Sequence, residues 1–291
     1  MSKQPEQRTP EWFAQRRGRV TASKVGAILG VNPWATPADV MRRMVRDHHG
    51  APSEFEGNSA TAWGVANEDG AVIDYEMDTG LDVVPAHFVE YEQWLGASPD
   101  GYVGQGGLIE VKCPYGKRDA TDPSEFKSIL DQPHYYAQIQ VQLFCTGRMW
   151  CDFYQWAPRA QRLERVGLDM AWLADALPKL RAFWDDFQKE IDNPAHLEPL
   201  RKTVTTADAS KIVADYLHAK AMADEYSDRA KGLLAALVEL TGETDAEIDG
   251  HKLTRVVRKG SVSYAKALKA LAPDADLEPY RGKASEYWRL S

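Results

Sequence analysis

Asp100 stands ten residues before Glu110, and Lys112 follows Glu110 with one residue between. A glycine-rich stretch, Gly104 to Gly107, separates the two acids. Side chains alternate along an extended strand, so Glu110 and Lys112 share one face and Val111 takes the other. A hairpin turning over these glycines would set Asp100 beside Glu110. Two carboxylates held that close repel unless a proton or a cation lies between them. Mg²⁺ suits such a pair, because it takes oxygen ligands and keeps several waters. The carbonyl of Val111 offers one more oxygen. Lys112 could then orient or deprotonate a metal-bound water, or steady charge on a phosphate. The bland alternative is an exposed hairpin on which Glu110 and Lys112 are ordinary surface charges.

The elements around this stretch follow from periodicity and punctuation. "TPEWFAQRRGRV" predicts a first helix with Thr9 as N-cap and Pro10 at its first position, broken at Gly18. "TASKVGAILG" predicts a second, with Thr21 as cap and Gly30 as stop, and a third begins at Thr36-Pro37. From Ala60 to Thr79, the spacing of Trp63, Ala66, Ala71, Ile73 and Tyr75 predicts one face of a long helix that ends at Gly80. "LDVVPAHFVEY", "WLGASPDGYV" and "GLIEVKC" read as three strands. "PHYYAQIQVQLFCTG" reads as a helix, and "RMWCDFYQWAP" with "RLERVGLD" as a hairpin. A long helix follows from Met170, disturbed near Pro178. This order predicts a mixed α/β core of the α+β type, with a central sheet flanked by helices.

A boundary near residue 200 divides the chain into 1–200 and 201–291. The second part predicts a long amphipathic helix with charges alternating along its face, as on a solvated or coiled-coil helix. A hairpin turning at Asp249-Gly250, a short helix and an aromatic tail complete this helical extension.

Composition excludes several classes. No apolar run approaches the roughly 18 residues that a membrane helix needs. The opening is polar, without the apolar core of a signal peptide. Cys113, Cys145 and Cys151 are an odd number with no CxxC spacing, which predicts free thiols in a reducing cytoplasm rather than disulfides or a zinc site. The seven histidines form no HxxxH pair. "GQGG" is a turn, not a phosphate loop, since no GK[ST] follows. The net charge of −8 argues against a nucleic-acid partner, but its distribution does not. Residues 1–48 carry nine Lys and Arg against four acids, whereas residues 49–100 carry eleven acids and no Lys or Arg. A basic opening beside an acidic block fits a phosphate-contacting region next to a metal-binding one; a solvated acidic face is the plainer account. The aromatic run Trp150, Phe153, Tyr154 and Trp156 is either core or a stacking platform for unpaired bases.

Taken together, Asp100, Glu110 and Lys112 form the Asp-x₉-Glu-x-Lys pattern of the PD-(D/E)xK nucleases. "SPDG…EVKCP" resembles its form in phage lambda-type exonucleases and YqaJ-like viral recombinases. "W…RRGRVTASKVGAILG", "WGVANEDGAVIDYEMDTG" and "YYAQIQVQLFCTG" are similar to further motifs of that family, in the same order, over roughly residues 9–190. The resemblance implies a restriction-endonuclease-like core. It implies that Asp100 and Glu110 bind Mg²⁺, with Mn²⁺ as a substitute, together with the Val111 carbonyl, and that Glu68 supports a metal or its water. Lys112 would activate or position the attacking water, and Gln138 would touch the nucleophile side or the scissile phosphate. Arg16 and Ser23 match residues that grip a 5′ phosphate, and Glu90 falls where some members carry another acid. Glu68 also reads as a solvated helix position, Ser23 as a cap, and Gln138 as a buried hydrogen-bonding residue.

The expected function is a Mg²⁺-dependent exonuclease, 5′-to-3′ on double-stranded DNA ends, serving phage-type recombination by single-strand annealing. Its expected partners are an annealing protein and further copies of itself, in a possible ring. The expected setting is the cytoplasm of a bacterial host, with a phage or prophage origin. The alternatives are an endonuclease of the same fold, with restriction or repair duties, and a catalytically silent DNA-binding or assembly protein.

Overall fold

The computed structural model describes residues 5, 7–55, 57–201, 204–257, 260, 263–272, 275–276, 280, 282–283, 285–288 and 290. The chain divides into two compact units, Met1–Arg201 and Lys202–Ser291.

The first unit opens with helix α1 (Pro10–Arg16), whose N-cap Thr9 accepts a hydrogen bond from the Trp12 amide. Strand β1 (Val20–Thr21) leads into α2 (Ala22–Ile28). Thr21 sits at the N-cap of α2 but makes no side-chain cap bond, contrary to expectation. Its hydroxyl is engaged elsewhere, near Ser23 and Arg16. Helix α3 (Pro37–His48) starts at a capping box built by Thr36 and Asp39. Helix α4 (Ser59–Thr79) ends at Gly80. Its buried residues are Ala71 and Tyr75, while Ala66 and Ile73 face solvent, so the stripe differs from the expected one. The reason is polar anchoring. Asp74 accepts from the Trp156 indole and Asp78 from the Tyr154 hydroxyl, so carboxylates rather than aliphatic residues turn towards the sheet.

Two of the expected strands are each split in two. Strands β2 (Val83–Pro85), β3 (Val89–Tyr91), β4 (Leu95–Ala97) and β5 (Gly101–Val103) are three residues long. The breaks fall after Pro85 and at Pro99, where proline supplies no backbone donor. Strand β6 (Gly107–Lys112) follows, then α5 (Pro133–Thr146), β7 (Trp150–Ala157), β8 (Ala160–Gly167) and α6 (Met170–Glu190). Helix α6 continues through Pro178 as one element.

A five-stranded mixed sheet runs in the order β2-β5-β6-β7-β8, and a smaller one runs β1-β4-β3. In the larger sheet only β6 and β7 are parallel, and α5 makes the crossover between them. Strand β6 serves two layers. Leu108 packs with Ile139 and Leu143 of α5, whereas Ile109 and Val111 pack with Ala71 and Tyr75 of α4. Phe153, Tyr154 and Trp156 are buried, so this run is core rather than a base-stacking surface. Helix α2 packs against α5, α3 and α6 in a separate core around Met44, Leu180 and Phe187. The α2–α5 approach depends on Gly26, where a Cβ would come within 2.8 Å of the His134 backbone.

The second unit contains α7 (Ala207–Leu240), the antiparallel pair β9 (Ala246–Ile248) and β10 (His251–Leu253), and α8 (Tyr264–Leu271). The hairpin turns at Asp249 and Gly250, both with positive φ, as a two-residue turn of this kind requires. Among the described residues no helix is long and apolar enough to cross a membrane.

One buried polar knot fastens α4 to the sheet. Asp152 of β7 is fully enclosed, accepts the Tyr75 hydroxyl at 2.7 Å, and takes both a 2.8 Å Nε and a 2.8 Å Nη2 bond from Arg165. Removing the carboxylate strands a buried hydroxyl, at a cost of roughly 1–3 kcal/mol. Arg165 is half exposed and can turn to water, so it adds less. Asp152→Ala is therefore expected to lower unfolding stability by about 2 kcal/mol and Tyr75→Phe by about 1 kcal/mol, read from urea midpoints at constant slope.

Candidate active site

The β5–β6 register pairs Gly101 with Ile109, and one further step sets Asp100 opposite Glu110. The sequence spacing is thus realised as a hairpin, with the acids facing each other across it. The Asp100 Oδ2 accepts the Val111 amide at 2.7 Å, which is its only hydrogen bond among the described residues. Burial pushes the Asp100 carboxyl well above its ordinary range, and the charge of Glu110 pushes it further.

Glu110 is enclosed but richly satisfied. Its Oε1 accepts from the Lys112 ammonium and from Gln138 Nε2 at 2.5 Å, and its Oε2 accepts from Gln142 Nε2 at 2.6 Å. Gln138 and Gln142 are four apart on α5, so both reach down from one face of that helix. Gln142 escaped the sequence reading as a site residue; its i,i+4 relation to Gln138 was the available signal. Burial by itself would lower the Lys112 pKa. The charges of Glu110 and Asp100 outweigh it and hold the ammonium above its ordinary value. Tyr135 stacks beneath this cation at 5.1 Å.

The corner before Asp100 is held from the chain's N-terminal side. Gln7 Nε2 donates to the Pro99 carbonyl at 2.9 Å. Trp12 Nε1 and Arg16 Nη1 both donate to Ser98 Oγ, at 3.2 and 3.0 Å. Arg16 also reaches Ser23 Oγ at 3.1 Å and lies over the Trp12 ring. Arg16 and Ser23 are thus brought together, with Ser98 as a third member that sequence reasoning missed. Ser98 lies two residues from Asp100, about 7 Å of extended chain. No carboxylate pairs with Arg16 among the described residues, and burial pulls its pKa down to about 10. A cation so placed, ringed by hydroxyls, suits an oxyanion with several acceptor oxygens.

Glu68, Val111, Lys112 and Ser23 line one cleft of about 1140 Å³. Glu68 lies on the inner stripe of α4, three residues before Ala71, and is engaged by Arg8 at 2.6 Å. Its charge still contributes to the upward shift at Asp100. Lys24 lines the same cleft, has only the Arg19 carbonyl as a hydrogen-bond partner among the described residues, and is drawn down to about 8 by burial. Glu90 pairs with Arg19 at 2.8 Å. Cys113 packs beside Val111, and burial lifts its thiol to about 12, as a packing role predicts. His134 covers Gly26, and its buried Nε2 has no partner among the described residues.

The donor chemistry fits a hard divalent cation. Two opposed carboxylates, one of them with a single hydrogen-bond donor, and the Val111 carbonyl beside them supply oxygen ligands alone. Among the described residues no three acidic, histidine or cysteine side chains gather around one point. Mg²⁺ takes one or two carboxylates and completes its shell with waters and substrate oxygens.

The YqaJ-like viral recombinase domain profile matches residues 11–149. The alkaline exonuclease LHK-Exo from Laribacter hongkongensis, solved alone and in complex with dAMP, is 33% identical. The match covers 63% of this chain and 95% of that one, with TM-scores of 0.55 and 0.56 respectively. Protein R354 of Acanthamoeba polyphaga mimivirus is 24% identical over 163 residues, and this chain spans 29% of its length. The mixed sheet flanked by helices is the restriction-endonuclease-like fold of these lambda-type nucleases. A catalytic-type hairpin, a profile match over its elements and a relative covered almost end to end place this chain in the YqaJ-like viral recombinase family, with the alkaline exonucleases of lambda type as its structural neighbours.

Proposed function

We propose that this protein is a Mg²⁺-dependent exonuclease that degrades double-stranded DNA from its ends with 5′-to-3′ polarity. The observation that carries the reading is the apposition of Asp100 and Glu110 with the Lys112 ammonium on the same face. Asp100, Glu110 and the Val111 carbonyl would hold the ion. Bound there, Mg²⁺ would polarise the scissile phosphate and lower the pKa of a coordinated water.

The chain's own residues supply the remainder. Lys112 places a positive charge where a phosphate gathers negative charge, and it activates or positions the attacking water. Gln138 and Gln142 hold the Glu110 carboxylate in one orientation. Arg16, Ser23 and Ser98 form a cradle for a terminal 5′ phosphate, which supports end-dependence and the stated polarity. Lys24 adds a cation to a cleft wall that Lys112, Arg42 and Arg43 also line. The family relation supports phage-type recombination, with the surviving strand passed to a single-strand annealing protein. It also supports assembly of several copies around DNA, in the cytoplasm of a bacterial host. Residues 1–200 would be the nuclease domain and residues 201–291 an added helical domain.

Digestion of linear duplex with and without Mg²⁺ tests the reading. Wild-type protein is expected to release nucleotides from 5′-phosphorylated ends and to leave covalently closed circles uncut; cutting of circles would replace it with an endonuclease. Asp100→Ala and Lys112→Ala are each expected to lower the rate by about 10³-fold or more. Arg16→Ala is expected to erase most of the preference for a 5′ phosphate over a 5′ hydroxyl, by about tenfold or more, while hydroxyl ends are cut nearly as before.

A second expectation concerns the metal-free protein. Asp100 holds its proton in the folded state at pH values where the unfolded chain releases it. Folding stability therefore declines as pH rises from the ordinary value of 3.8 towards the raised one, and the contribution is lost above it. Asp100→Asn removes this penalty and keeps the shape. At neutral pH without metal it is expected to be more stable than wild type by about 1 kcal/mol, as when a strained active site is relaxed. Mg²⁺ or Mn²⁺ is expected to raise the thermal midpoint of wild type and not that of the variant. A variant less stable than wild type, or equal metal responses, would count against two acids meeting at a metal site.

A further inference from the structure

Tyr135 reaches the catalytic cleft on the same stripe of α5 that supplies Gln138 and Gln142. The three are spaced i, i+3 and i+7, so one helix face carries them all towards Glu110 and Lys112. The Tyr135 ring is held on three sides. The Lys112 ammonium lies 5.1 Å from its centre, the His134 ring 4.1 Å and the Phe153 ring of β7 5.6 Å. His134 is itself confined, by Gly26 on one side and the Trp34 ring on another. Packing explains this ring but not its hydroxyl, since a phenylalanine would fill the same place beside Ile139 and Phe153. Tyr75, Tyr136 and Tyr154 each donate their hydroxyl to a carboxylate, that of Asp152, Asp169 and Asp78, at 2.7, 2.8 and 3.1 Å. The Tyr135 hydroxyl has no hydrogen-bond partner among the described residues. It is not sealed inside the fold either: Tyr135 is half-buried and lines the cleft beside Val111 and Lys112.

We propose that Tyr135 is a further catalytic residue, whose hydroxyl donates a hydrogen bond to a nonbridging oxygen of the scissile phosphate, beside the Lys112 ammonium; this role rests on the nuclease reading. A phenol, with an ordinary pKa of about 10, keeps its proton at neutral pH and is a donor there. Burial raises it further, against the opposing charge of Lys112. Gln138 and Gln142 direct their amides to Glu110, whereas Tyr135 keeps its donor for the substrate. Negative charge collects on the nonbridging oxygens as the attacking water bonds to phosphorus. A donor fixed in place before the reaction stabilises that charge without having to reorganise, and a ring clamped on three sides fixes its hydroxyl in this way.

Single-turnover digestion of 5′-phosphorylated duplex by the full chain with Mg²⁺ tests it. Tyr135→Phe keeps the ring beside Lys112 and removes only the hydroxyl. It is expected to lower the single-turnover rate by about tenfold or more, with the affinity for duplex held within about twofold. Its thermal midpoint without DNA is expected to match that of wild type, since no hydrogen bond within the fold is lost. A phosphorothioate at the scissile linkage identifies the acceptor atom, because sulfur accepts a hydrogen bond poorly. For one of the two diastereomers, wild type and variant are expected to cut at nearly the same rate; for the other, the gap between them persists. A variant that cuts the oxygen linkage as fast as wild type, that loses stability, or that keeps the same gap on both diastereomers overturns the role of Tyr135 and leaves the nuclease reading standing. Wild-type protein that leaves the duplex whole overturns both.

Discussion

Asp100 and Glu110 face each other across one hairpin, Glu110 enclosed and Asp100 partly so, and like charges in that position oppose folding. The rest of the first unit is arranged around that repulsion. Glu110 is offset within the protein, by the Lys112 ammonium and two glutamine amides. Asp100 is offset only in part, by the Lys112 charge and one backbone amide. The asymmetry matters chemically. A carboxylate already saturated with donors is a fixed post, whereas one with a free oxygen gains most when a cation arrives.

Holding the pair in place requires segments far apart in the chain. Strand β6 supplies Glu110 and Lys112 on one face and anchors itself through Ile109 and Val111 on the other. Helix α5 is both the crossover that makes β6 and β7 parallel and the source of Gln138 and Gln142. Helix α1 and the residues before it grip Ser98 and Pro99. Helix α4, fastened through Tyr75 and Asp152, carries Glu68 to the cleft. Tertiary hydrogen bonds, more than helix propensity, decide which residue of each element faces the site.

That distinction explains what could be read in advance. Local chemistry was legible. The caps at Thr9 and Thr36, the Asp249-Gly250 turn and the alternation along Gly107–Lys112 each depend on residues within a few positions. The apposition of Asp100 and Glu110 was legible too, because a hairpin converts spacing into proximity. Ser98 was not, since its hydroxyl gains meaning only when Arg16, 82 residues away, arrives beside it. The α4 stripe was misjudged for a similar reason. Hydrophobic periodicity presumes an apolar interface, and here Asp74 and Asp78 meet Trp156 and Tyr154 across it. The short strands were hidden by Pro85 and Pro99, whose missing donors end pairing without altering the apolar pattern.

The same logic of offset charge sets what the site still asks for. Lys24 and Lys112 line the cleft, and Arg16 lies behind it against Ser23 and Ser98. Among the described residues no carboxylate forms an ion pair with Arg16 or Lys24, and burial lowers the pKa of both. A cation held out of water without a counter-charge gains most from an oxyanion that arrives from outside, just as Asp100 gains most from an arriving cation. The two unmet demands are opposite in sign and lie within a few residues of one another, because Ser98 joins the Arg16 cluster to the corner that carries Asp100.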